Sequence, residues 1–190
     1  MKYAYVTGLL GVVAAGLFVP ALASEGTSST LVVTNLQDNI ELSVPVSKLT
    51  LVIPRGNLAS VEEPRIGATA SPRYFHFVDE KRGLVVTGWF ESASSWNGFE
   101  KFWAGELPAM KNAGVSIRKA PDVVAAGPWL AAAYDVDLPR NVTSSNVRAE
   151  LIRAGTWIDI HISTTSDLPQ NEQREQAVQF LRSIVVREGQ

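Results

Sequence analysis

Apolar and polar residues alternate with a period of two through most of the chain, and the period becomes helical in only two places. Leu31-Val32-Val33 and Ile40-Glu41-Leu42-Ser43-Val44 flank the turn-prone pair Asp38-Asn39, and Leu49-Thr50-Leu51-Val52-Ile53 alternates until Pro54 stops it. Such runs, bounded by turn residues, predict strands that turn one row of side chains toward a core. Tyr74-Phe75-His76-Phe77-Val78 and the run Leu84 to Phe90 enclose Asp79-Glu80-Lys81-Arg82-Gly83, which predicts a hairpin with a five-residue charged loop. Two further strands are predicted at Ala133 to Leu138 and Val147 to Arg153. Trp157-Ile158-Asp159-Ile160-His161-Ile162-Ser163 alternates strictly over seven residues and predicts another.

The first helical stretch places Phe99, Phe102, Trp103, Leu107 and Met110 on one stripe, with Gly114 as a stop and Ser94 or Ser95 as the cap. Pro108 inside it predicts a kink or a break, because proline lacks the N–H that continues the ladder. The second runs from about Asn171 to Ser183 with Ala177, Phe180, Leu181 and Ile184 on one face, and Asp167 with Gln170 resembles a capping box near its start. Pro54 to Arg73, with three prolines and two glycines, reads as a long loop. Pro121 to Pro128 reads as a link, and Val185-Val186-Arg187-Glu188 as a short extended tail. The order is β-rich, helix, β-meander, helix. That predicts an α+β class with a mainly antiparallel sheet packed by helices.

At the N-terminus Lys2 precedes an apolar run from Val6 to Val19 and the small-residue site Ala21-Leu22-Ala23, the layout of a secretory signal peptide. The expected organisation is a signal peptide over 1–23 cleaved after Ala23, a flexible Ser-rich leader over 24–30, and a single α+β domain over 31–190. The run is shorter than the roughly 20 apolar residues of a membrane span, so no stable membrane anchor is expected after cleavage. The expected location is periplasmic or secreted. Cleavage removes Lys2 and no acid, leaving 16 bases against 19 acids and a net charge of -3.

Composition then narrows the chemistry. With 46% hydrophobic and 19% charged residues the 190-residue chain has material for one folded core, and its acidic balance gives no basic field for nucleic acid. Zero cysteines exclude disulfides, thiolate metal sites and thiol nucleophiles. His76 and His161 are the only histidines, and no glycine-rich phosphate loop or serine-elbow motif is present. No cofactor, catalytic residue or metal site is assigned, and an enzyme is not expected.

The best local constellation lies in the meander. A two-residue turn at Gly155-Thr156, glycine first, sets Glu150 opposite His161, Arg148 opposite Ser163 and Ile152 opposite Asp159. One face is then aliphatic, and Trp157, Asp159, His161, Ser163, Glu150 and Arg148 share the other, which Asp135 and Asp137 extend by one strand. A His–carboxylate group of this kind suits acid–base work or a divalent cation. The plain alternative is a solvated face laced by cross-strand charge pairs. A turn at Ala154-Gly155 would set Glu150 against Asp159, a repulsive pair, and so is disfavoured. Trp96 and Trp129, in loop-like contexts, join Trp157 as candidates for an apolar cleft or partner patch. His76 reads as a satisfied strand residue, and Trp103 as core.

The chain resembles the Mog1/PsbP-like group, which includes DcrB-type bacterial envelope proteins. The resemblance rests on Leu51-Val52-Ile53-Pro54 closing an early strand, the aromatic hairpin Tyr74 to Phe90, the meander through Trp157 to Ser163, and the final helix leading into Phe180-Leu181-Arg182-Ser183-Ile184-Val185. It is one of layout over about Ile40 to Val186. It implies a central antiparallel sheet between helices, an α/β/α sandwich, and an interaction domain: Mog1 partners a small GTPase, and PsbP is a subunit of the oxygen-evolving complex. The expected function is therefore an exported, non-catalytic domain binding a protein partner or cell-envelope component, through residues among Arg148, Glu150, Trp157, Asp159, His161, Trp96 and Trp129. The alternatives are a small-ligand or divalent-metal-binding periplasmic protein, or a hydrolase using His161.

Overall fold

The computed structural model describes residues 30–45, 47–61 and 73–189. The expected signal peptide, nearly all of the leader and most of the Pro54–Arg73 loop lie outside these residues. The described chain runs β1 (Val32–Asn35), β2 (Asn39–Ser43), β3 (Leu49–Pro54), β4 (Ala59–Ser60), β5 (Tyr74–Asp79), β6 (Leu84–Ser92), α1 (Phe99–Asn112), β7 (Ser116–Ala126), β8 (Trp129–Leu138), β9 (Val142–Arg153), β10 (Thr156–Thr164), α2 (Gln170–Ser183) and β11 (Val185–Glu188). Seven strands form one sheet in the order β4-β5-β6-β10-β9-β8-β7, and four form a second in the order β1-β2-β3-β11, all antiparallel. The α+β class is as the periodicity predicts. None of the helices among the described residues is long and apolar enough to cross a membrane.

The alternation explains the layers. On β10 the isoleucines Ile158, Ile160 and Ile162 face one way, toward Ile40, Leu42, Leu51 and Ile53 of the small sheet and Ala177, Val178, Phe180 and Leu181 of α2. The odd positions face the other way, toward α1, whose Trp103 and Met110 bury against Ala132, Tyr134 and Val136 of β8. The large sheet thus lies between α1 on one side and α2 with the small sheet on the other.

Several local readings change. The stretch Pro121 to Pro128 is not a link: β7 and β8 form a long hairpin, and Pro121 sits in β7, the sheet's edge strand, where the pairing register shifts between Lys119 and Asp122. An edge strand with a bulge tolerates a residue that cannot donate to the ladder. Pro108 neither breaks nor ends α1, which continues to Asn112. Pro108 and Ala104 are both exposed, so the carbonyl that loses its donor faces water. Neither Ser94 nor Ser95 caps α1; Gly98 does, and Ser92 caps the short turn before it. At α2 the residue before the first turn is Pro169, without a side-chain cap. The buried Gln173 side chain ties the approach instead, donating to the carbonyls of Ser166 (3.0 Å) and Leu168 (2.8 Å). The C-terminal tail is β11, paired with β3.

Candidate functional site

The β9–β10 turn is Ala154-Gly155, not Gly155-Thr156. Both residues have positive φ (47° and 75°), the requirement of the type I′ turn whose twist suits a hairpin. This moves the pairing along by two residues. Glu150 lies opposite Asp159 rather than His161, Arg148 opposite His161 rather than Ser163, and Ile152 opposite Trp157. A two-residue shift preserves which side chains share a face, so Arg148, Glu150, Trp157, Asp159 and His161 do come together. Asp135 does not join them. On β8 Tyr134, not its neighbours, shares their face, and Asp135 on the other side pairs with Arg174 of α2 and accepts from Ser145 at 3.1 Å.

Arg148 organises the cluster. Its Nε and Nη2 donate to the two carboxylate oxygens of Asp159 at 3.1 and 2.7 Å, and its Nη1 donates to Glu106 of α1. The flat guanidinium lies 5.2 Å from the centre of the Trp89 ring and 4.6 Å from that of Phe102. A planar fork beside two aromatic rings is the environment arginine fills and lysine does not. Burial works against the Arg148 charge, but Asp159 and Glu106 outweigh it and hold its pKa above the usual arginine value. Burial also pushes the Glu106 carboxyl up, with Arg148 pulling it back.

Glu150 is left out of this fork. One oxygen accepts from the Trp157 indole N–H, and the other is buried without a partner. Burial, and then the facing Asp159, hold its pKa well above the ordinary carboxyl range. The repulsion that disfavoured this register is therefore relieved: Arg148 takes Asp159, and burial favours the protonated form of Glu150.

Beside the fork stands a neutral triplet. Asn146 Nδ2 donates to the Ser144 carbonyl at 3.0 Å, which turns its Oδ1 to the His161 Nε2–H at 3.1 Å. The Tyr134 hydroxyl oxygen lies 3.1 Å from the same nitrogen, and the two rings stack nearly parallel. Burial first, and the Arg148 charge second, pull the His161 pKa down to about 3. A depressed histidine pKa contributes stability that is present above the unfolded value near 6.5 and is lost as pH falls toward 3. The His161 imidazole resonances in a proton NMR titration are therefore expected to stay flat from neutral pH to about pH 4.5. A midpoint near 6.5 would refute the neutral assignment.

The tryptophans divide. Trp157 is buried, with Trp96 (ring centres 5.2 Å apart) and Phe102 (6.4 Å) against it. Trp129 opens β8 and is buried in the main core, on the opposite sheet face, so it is not part of a shared cleft. Glu106, Tyr134, Asn146, Trp89 and Phe102 complete the cluster. Of these Glu106 had a legible signal: an acid on the apolar stripe of Phe102, Trp103, Leu107 and Met110 calls for a buried cation. Among the described residues no three His, Asp or Glu side chains are grouped to hold a metal ion.

No family model matches the sequence, and no curated protein matches it. Solved structures do. The solution structure of cyanobacterial PsbP (CyanoP) from Synechocystis sp. PCC 6803 superposes with a TM-score of 0.50 at 9% identity, covering 89% of this chain and 99% of that one. The fold is PsbP-like. A crystal structure from Bacteroides thetaiotaomicron VPI-5482 matches with a TM-score of 0.42 at 8% identity, over 74% of this chain and 45% of that one. The present chain thus spans less than half of that protein's length.

Proposed function

We propose that the chain is an exported, non-catalytic binding domain of the Mog1/PsbP-like group, in the manner of DcrB-type envelope proteins, and that its partner is a protein of the cell envelope. The charged residues of the meander are consumed in holding α1 to the sheet, so the binding surface lies elsewhere. One observation carries the reading. Val123 of β7 (80% exposed), Leu130 of β8 (49%) and Ile152 of β9 (36%) stand on the α1 side of the sheet. Val123 pairs with Ala132 and Leu130 with Glu150, so the three lie diagonally across adjacent strands as an exposed apolar row. Contiguous exposed apolar side chains mark interaction surfaces, whereas scattered ones do not.

A photo-reactive benzophenone side chain at position 130, in the cells that make the protein, is expected to yield one discrete protein adduct. The same group at exposed Gln179 on the outer side of α2 should yield none. Absence of an adduct at 130, or the same adduct at both positions, would refute this surface.

A further inference from the structure

We infer that the seat of α1 on the sheet is a pH-sensitive joint controlled by a single proton on Glu150. Among the described residues Arg148 is the one cation within hydrogen-bonding reach of this cluster, and three carboxyls surround it: Asp159 on β10, Glu106 on α1 and Glu150 on β9. The guanidinium spends its fork on the first two. Glu150, directly across the strands from Asp159, receives only the Trp157 indole N–H, and its second oxygen has neither partner nor water access. An ionised carboxylate with a bare oxygen in a dry site is far more costly than a protonated one. Among the described residues Arg148 is the one cation that acts on it, and Arg73 spends its charge on Glu91. The side chain opposite it on β8 is Leu130, and Tyr134 and His161 are neutral. On β6 the neighbours are Trp89 and Glu91, another acid, and on α1 it is Glu106.

When rising pH removes the proton, a negative charge appears facing Asp159 with no cation to spare. Asp159 cannot retreat, since β10 is paired on both sides by β6 and β9. Glu106 can, because α1 rests on the sheet through side chains alone and its cluster with Trp103 and Met110 is the smaller of the two cores among the described residues. Releasing Glu106 frees one edge of the Arg148 fork for Glu150 and admits water. The helix therefore loosens as pH rises and seats as pH falls. The sign agrees with linkage: a carboxyl held above its unfolded value gives stability that is present at low pH and lost on the way up through the folded value.

Hydrogen exchange of the unsubstituted protein tests this, with protection corrected for intrinsic base catalysis. Protection of the α1 amides Phe102 to Met110 is expected to fall about tenfold relative to β9 and β10 as pH rises through the Glu150 titration, above the ordinary carboxyl range. Glu150→Gln, which keeps the shape but cannot ionise, should make that ratio flat. The carboxyl 13C resonance of Glu150 in the unsubstituted protein should titrate over the same interval, which keeps the test independent of the variant's folding. A flat ratio in the unsubstituted protein, an unchanged pH dependence in Glu150→Gln, or a Glu150 carboxyl ionised throughout would each overturn the inference.

Discussion

Replacing Arg148 with methionine is expected to lower stability by about 3–5 kcal/mol, the cost of removing one partner from a buried ion pair and leaving the other charge uncompensated. For a chain of this size that corresponds to a fall in melting temperature of roughly 6–20 °C. Asp159 is fully buried and takes two of the guanidinium's N–H groups, so it has no alternative donor when they go. Glu106 loses the bond that ties α1 to β9, and the flat group beside the Trp89 and Phe102 rings becomes a flexible chain. Arg148→Lys should recover less than half of the loss, because an ammonium cannot serve both oxygens of Asp159 and Glu106 together. The loss should shrink as pH falls, since carboxyls that accept protons no longer need the cation. Urea unfolding near neutral pH and near pH 5 measures both effects. A loss below about 1 kcal/mol, typical of an exposed pair, would show that Arg148 is not the centre of the cluster.

That cluster illustrates which features a single sequence exposes. Alternation along Trp157 to Ser163 was enough to separate the isoleucine row from the polar row, and the structure keeps those faces. Register was not recoverable in the same way. Comparing the two possible turns by cross-strand charge pairs made Glu150 against Asp159 look repulsive, but the true energetics involve three bodies and a proton. Arg148, two residues along β9, neutralises Asp159 diagonally, and burial favours the protonated form of Glu150. The Glu106 contact comes from a helix about forty residues earlier, a separation across which local patterning carries no pairing information. The same limit explains Asp135, whose neighbour Arg174 belongs to α2. Pro121 misled for a different reason. Proline interrupts a strand only where its N–H is needed, and the need depends on whether the strand has a neighbour on that side, a property of topology. The PsbP-like layout was visible from element order because element order is local.

Gly88→Ala is expected to destabilise by about 1–3 kcal/mol, toward the upper end of the range for overpacking a core. This reverses the usual sign, since glycine inside a strand is ordinarily the less stable choice by roughly 0.5–1 kcal/mol. Gly88 lies in β6, between β5 and β10, and its partner on β5 is Phe75. A Cβ at this position would fall 2.6 Å from Cζ of the Phe75 ring and 2.3 Å from the backbone oxygen of Asp159. The ring can turn aside, but the oxygen moves only if β10 moves with it. Phe75→Leu in the same chain should therefore return part of the loss and not all of it. Asp159 turns its side chain to the opposite face, where it holds Arg148, so a shift of its backbone reaches the buried fork. Gly88→Ala and Arg148→Met should for that reason be non-additive, the double variant losing less than the sum, as expected for residues that share a partner. Thermal unfolding of the two single variants and the double variant decides it. A Gly88→Ala protein as stable as the parent would mean that β6 and β10 have room to spare, and strict additivity would mean that the core and the fork are held independently.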